Sequence, residues 1–149
     1  HFHVFTKTEL ESRTEVKYET YAKEINVEAR AMIDIAAKQI IPAVIKYAKH
    51  LADAIISIQT IPGMDVSVET ELLKETTKLL RESQTALKTL QEKTEAASLI
   101  ENNERQARYY HDEVNTAMEA LRKPIDQLEM IVDKEMWPMP SYGDLMFEV

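Results

Sequence analysis

A stripe of apolar and small residues, Tyr18, Ala22, Ile25, Ala29, Met32, Ala36, Ile40, Val44, Tyr47, Leu51, Ala54 and Ile58, recurs at every third or fourth position. That is the period of one face of an α-helix. The spacing predicts one long amphipathic helix over about residues 9–58, densest at residues 26–49 (NVEARAMIDIAAKQIIPAVIKYAK). A stripe of this length has to be buried against something, so the rest of the chain must supply partners. The composition suits helical partners, since two glycines in 149 residues, and an abundance of Ala, Leu, Glu, Lys and Gln, point to an all-α protein. At 44% hydrophobic, the chain can bury a core as one domain.

Caps, prolines and one glycine divide the chain into segments. Thr8, with Glu11 three residues on, is a candidate cap for the first helix. Pro42 should kink that helix rather than end it, because the apolar rhythm resumes at Val44, Tyr47 and Leu51. Pro62-Gly63 is a turn, and Asp65 or Ser67 can cap a second helix over about residues 66–98. Its seam of Leu72, Thr76, Leu79, Ser83, Ala86, Leu90 and Ala97 is thinner and more polar than that of the first. No Gly or Pro lies between Met64 and Lys123, but one helix of that length would run about 90 Å, so a reversal is placed near residues 99–103 with Asn102 or Asn103 as cap. A third helix, about residues 103–135, aligns Ala107, His111, Val114, Met118, Leu121, Ile125, Leu128 and Val132, with a kink expected at Pro124. Residues 137–149 (WPMPSYGDLMFEV) begin with helix-breaking prolines yet are too apolar for a free tail, so Trp137, Tyr142, Leu145 and Phe147 are expected to pack as an extended strap.

These readings combine into an up-down-up bundle of three long antiparallel helices, a single helical domain over residues 1–149. The first helix would span about 75 Å and the others about 48 Å each, leaving an overhang of roughly 25 Å at its N-terminal end. A 13-residue strap reaches about 45 Å at most and leaves from the opposite end. Val16, Tyr18, Tyr21 and Ile25 are then expected to lie bare and to form an interaction surface for another chain or domain.

Catalytic chemistry is hard to find. The net charge of −8 argues against nucleic acid, and the longest apolar run, residues 40–45, is far short of a membrane span. There is no cysteine, and two glycines cannot build a phosphate-binding loop. His1 and His3 form an incomplete metal pair at the start of the chain. Neither His50 nor His111 follows a Glu by three residues, as carboxylate-bridged metal bundles require. His111 lies on the predicted seam beside Tyr110 and reads as a hydrogen-bonded core or edge residue rather than a general base. The methionines Met118, Met130, Met136 and Met139 read as core filling. No residue is assigned a catalytic, cofactor-binding or metal-binding role.

Three segments are similar to the C-terminal end of type III glutamine synthetases, the large bacterial form of that ligase. They are residues 5–13 (FTKTELESR), residues 26–49, and residues 137–149; residues 109–122 (YYHDEVNTAMEALR) add to the match, and residues 60–105 look variable. A chain beginning at His1 rather than at methionine also reads as a piece of a longer polypeptide. The resemblance implies a cytoplasmic, ring-forming parent enzyme that makes glutamine from glutamate, ammonia and ATP with a divalent metal such as Mg. Its catalytic domain would lie upstream, and this chain would be an accessory domain touching that domain and neighbouring subunits in a homo-oligomer. The alternative is a free-standing helical binding or adaptor module without enzymatic activity.

Overall fold

A computed structural model describes residues 6–139. Among these the chain is all-helical, with no strand. The first helical stretch comprises α1 (Lys7–Ile35), a five-residue π-helical segment π1 (Ala36–Ile40) and α2 (Ile41–Gln59). α3 (Ser67–Ser98) is the second stretch, and the third is α4 (Asn103–Tyr109), a second π segment π2 (Tyr110–Val114) and α5 (Asn115–Ile131). α3 packs against both α2 and α5, and α4 packs along α1.

Each start has a chemical cause. Thr6, not Thr8, caps α1: its hydroxyl accepts the Glu9 N–H at 3.1 Å while the Glu9 carboxylate accepts the Thr6 N–H at 3.3 Å. Thr-x-x-Glu occurs twice in overlapping register here, and the earlier copy closes the box. Before α3, Asp65 accepts from both the N–H and the hydroxyl of Ser67, and those bonds hold its carboxyl below the usual carboxylate range. Asn102 accepts the Arg105 N–H at 2.9 Å at the head of α4, and the Gln106 amide donates to the Ala97 carbonyl, tying the new helix to the end of α3. Gly63, at φ +81°, makes the turn between α2 and α3.

The π segments reset the helical register. In π1 the Ile41 N–H donates to the Ala36 carbonyl, five residues back. Pro42 comes next; it has no N–H, and in an unbroken α-helix its ring would press on the Lys38 carbonyl. Widening the helix just ahead of it relieves that clash, so the stripe runs on through Val44, Tyr47 and Leu51, all buried. In π2 the Asn115 N–H reaches back to Tyr110 in the same way, without a proline behind it. Tyr110 is buried and His111 exposed, so the expected seam position of His111 is corrected by one residue: after Ala107 the seam steps by three to Tyr110 rather than by four to His111.

The core has two adjoining layers. In one, Ala22, Ala29 and Ala36 of the first stretch meet Leu87, Leu90, Val114, Met118 and Leu121. In the other, Ile40, Val44, Tyr47 and Leu51 meet Leu79, Leu128, Val132 and Trp137. Large side chains buried in this way contribute about 1.5–3 kcal/mol each. The seam of α3 stays partly polar at Thr76, Ser83 and Thr94, all buried. Thr76 bonds to the Leu72 carbonyl, while the hydroxyls of Ser83 and Thr94 and the indole N–H of Trp137 have no hydrogen-bond partner among the described residues. α5 ends at Ile131, four residues before the expected Glu135, because Val132 is already extended and Asp133 turns the chain by accepting from Glu135.

Candidate interaction surface

The N-terminal turns of α1 stand apart from both layers. Residues 7–17 are all exposed, including Leu10 at 51% and Val16 at 56%. A hydrogen bond from the Asn103 amide to the Glu15 carboxylate, at 2.8 Å, ties this part to the third stretch. Leu10 and Val16 share an open depression of about 530 Å³ with Arg13 and Lys17.

The bare zone is shorter than helix lengths alone suggest, about 16 Å for eleven residues. Of the four expected surface residues, Val16 is exposed and Tyr18 half-buried, whereas Tyr21 and Ile25 pack on the first core layer. The turns at residues 60–66 and 99–102 take up axial length of their own, so α4 begins level with Glu15 and covers positions that bare helix arithmetic left open. Leu10, which the spacing rule did not mark, belongs to the exposed zone instead.

A second concave surface lies between α1 and α5. Met32, Ile35, Ile40, Met118, Ile125 and Trp137 form the apolar lining of a groove of about 510 Å³, which Glu28, Arg122, Asp126 and Glu129 border with charge. Met139 also lines it. Trp137 is buried and lines this groove; Tyr142, Leu145 and Phe147, the other residues expected to pack as a strap, lie outside the described residues. Of the methionines read as core, Met118 is buried, Met136 half-buried, and Met130 is 86% exposed on the outer face of α5.

Among the described residues, the titratable groups converge on no common centre. His50 is exposed, and His1 and His3 lie outside the described residues. His111 Nδ1 sits 2.9 Å from its neighbour Asp112, and its ring lies 6.3 Å from that of Tyr21. Tyr110 donates to the Asn26 amide oxygen at 3.2 Å, which also accepts from Arg30. Burial pushes the Tyr110 hydroxyl above its ordinary pKa, with Arg30 acting the other way; burial and then Asp112 and Glu28 raise that of Tyr21. Among the described residues no three His, Asp or Glu side chains converge as metal ligands, and no helix is long and apolar enough to cross a membrane.

Residues 1–59 match the family model of the glutamine synthetase C-terminal domain, a match that ends where α2 ends. Over 97% of its length the chain is 30% identical to a glutamine synthetase of Bacteroides fragilis (strain YCH46). It is 30% identical over 98% of its length to one of Butyrivibrio fibrisolvens, and 26% identical over 97% to a type-3 glutamine synthetase of Dictyostelium discoideum. The chain spans about a fifth of the length of these relatives: 20%, 21% and 20%. The chain is thus similar over almost its whole length to glutamine synthetases, and its residues 1–59 match the C-terminal domain of that family.

Proposed function

We propose that this chain is the C-terminal accessory domain of a type III glutamine synthetase, a cytoplasmic enzyme joining ammonia to glutamate at the expense of ATP, and that its role is architectural. ATP, the divalent metal and the reacting groups belong to a catalytic domain elsewhere in the parent polypeptide. The N-terminal turns of α1 meet that domain or a neighbouring subunit of a homo-oligomer. The observation that carries this reading is the capped, regular helix of residues 7–17, which projects beyond the core with Leu10 and Val16 bare. An isolated helix so short is marginal in water, and its apolar side chains gain by being covered.

The finer arrangement follows the same reading. Asn103 meets Glu15 and Tyr110 meets Asn26, which supports α1 and α4 running in the same direction with α3 returning between them, an up-down-up bundle. The burial of Trp137 supports residues 137–149 closing the bundle as a strap, and all 149 residues forming one domain.

Two experiments test the proposal. Leu10→Glu with Val16→Glu in the full-length parent should disrupt its assembly on native electrophoresis; unchanged assembly would count against the contact. The isolated chain should form no glutamine from ATP, glutamate and ammonia, and turnover above a heat-killed control would place catalytic groups where none is assigned.

A further inference from the structure

We propose that two copies of this chain meet about a two-fold axis with their α1 helices antiparallel, so that the N-terminal turns of each lie in the groove between α1 and α5 of the other. This rests on the reading of those turns as a contact surface and names what covers them. The residues responsible form a line separate from the core stripe. Leu10, Thr14, Lys17, Tyr21, Glu24, Glu28, Ala31 and Ile35 follow one another in alternating steps of four and three, from the first turns of α1 to its last residue before π1. A line of that period faces one partner helix wound round it left-handedly. Leu10, Thr14 and Lys17 line the open depression at the N-terminal turns, and Glu28, Ala31 and Ile35 line the groove. The two concave surfaces are thus the two halves of a single line.

Those halves complement each other. Antiparallel pairing about a point between Ala22 and Lys23 sets Leu10 against Ile35, Thr14 against Ala31, Lys17 against Glu28 and Tyr21 against Glu24. Apolar meets apolar, small meets small and cation meets anion, and the two-fold axis makes every such layer twice. Met32 and Ile125 beside Ile35 give Leu10 an apolar place to settle. The charges call for such a partner. Arg13 with Lys17, and Glu24 with Glu28, are like-charged pairs one turn apart, which work against a lone helix. No acidic residue lines the depression beside Arg13 and Lys17, whereas the groove sets Glu28, Asp126 and Glu129 against one cation, Arg122. Among the described residues Lys17, Glu24 and Glu28 form no salt bridge, unlike Asp34 with Lys38 further along.

From Leu10 to Ile35 the line runs about 38 Å, and at a helix width of about 10 Å it covers roughly 400 Å² per copy. A standard stable complex buries about 800 Å² per partner. The contact is therefore weak in the isolated chain, and pairing rises with concentration.

Charge reversal tests the pairing. Lys17 and Glu28 are both exposed, so neither change touches the core. Lys17→Glu alone and Glu28→Lys alone each set like charges face to face in both layers, and each should weaken self-association of the 149-residue chain about tenfold in sedimentation. An equimolar mixture of the two variants should associate as the unaltered chain does, because the mixed pair has opposite charges in both layers. The chain has no cysteine, so Thr14→Cys mixed with Ala31→Cys should give a disulfide between copies, and either variant alone should not. A mixture no better than its components, or no cross-link, would overturn the proposal. If Leu10→Glu with Val16→Glu still disrupts the full-length parent in that case, the turns remain a contact surface and their partner is the catalytic domain; if the parent also stays assembled, both readings fall. Cross-linking that appears only after residues 140–149 are removed would assign the groove to that segment and overturn the proposal as well.

Discussion

The two ends of the first helical stretch are built from the same kind of sequence and meet opposite fates. Both are helical with charged residues interleaved, yet residues 7–17 are all exposed, whereas the run from Ala36 to Leu51, π segment included, places Ala36, Ile40, Val44, Tyr47 and Leu51 in the core. What separates them is supply: α3, α5 and Trp137 bury the side chains of the second region, while residues 7–17 stay exposed, with Glu15 held by a hydrogen bond from Asn103. Helical structure and helical packing are thus separable within one continuous element. The N-terminal turns hold their shape through a capping box, and the remainder through tertiary burial.

The largest expected contrast is in stability. Leu121→Ala, at a fully buried position shared by α5 and the first core layer, should cost about 2–5 kcal/mol in denaturant unfolding, because it leaves a cavity. Val16→Ala should stay within about 0.5 kcal/mol in the isolated chain, as a substitution on an unpacked surface does. Equal effects at both sites would erase the distinction between the two regions.

Alkaline pH probes the packed region by a different route. Burial raises the pKa of Tyr110, and burial followed by Asp133 raises that of Tyr47, above the ordinary tyrosine value near 10. The unfolded chain releases these protons first, so their contribution to stability is complete below that value and is lost as the pH climbs through the folded-state values. Urea melts taken from neutral pH upward should show stability falling above about pH 10, and Tyr47→Phe with Tyr110→Phe should flatten the fall.

A smaller effect is local. Thr6→Ala removes the capping box, a change of about 0.5–2 kcal/mol for the helix it caps. Because residues 7–17 are exposed and bury no side chain in the core, amide exchange there should speed up while the midpoint of global unfolding stays in place. A lowered midpoint would mean that the projecting turns fold together with the body.

Much of this was legible in the sequence, because a three-and-four spacing sustained from Tyr18 to Ile58 leaves little choice of structure, and Pro62-Gly63 and Asn102 mark real breaks. Two kinds of feature were not legible. Tyr110 rather than His111 takes the seam because a step of three or of four after Ala107 fits a helix equally well, and in α3 Leu87, next to the marked Ala86, and Thr94, midway between Leu90 and Ala97, are buried as well. The extent of the bare surface failed for a different reason: Tyr21 and Ile25 are covered because the connections consume length, and the axial offset between helices is a property of turns that periodicity does not encode. The family resemblance rested on residues 5–13, 26–49 and, most specifically, the closing residues 137–149, which a generic helical bundle does not require; the first two stretches lie wholly in the region matched by the family model.

The claim that the N-terminal turns of α1 are a contact surface can be tested on the chain itself by light scattering across a wide concentration range. With no catalytic domain present, a second copy should cover Leu10 and Val16, so the apparent mass should rise towards that of a dimer with concentration, and Leu10→Glu with Val16→Glu should hold it at the monomer value of 17.2 kDa. A mass that stays monomeric at the highest concentration, with the double variant indistinguishable from the parent chain, would contradict it.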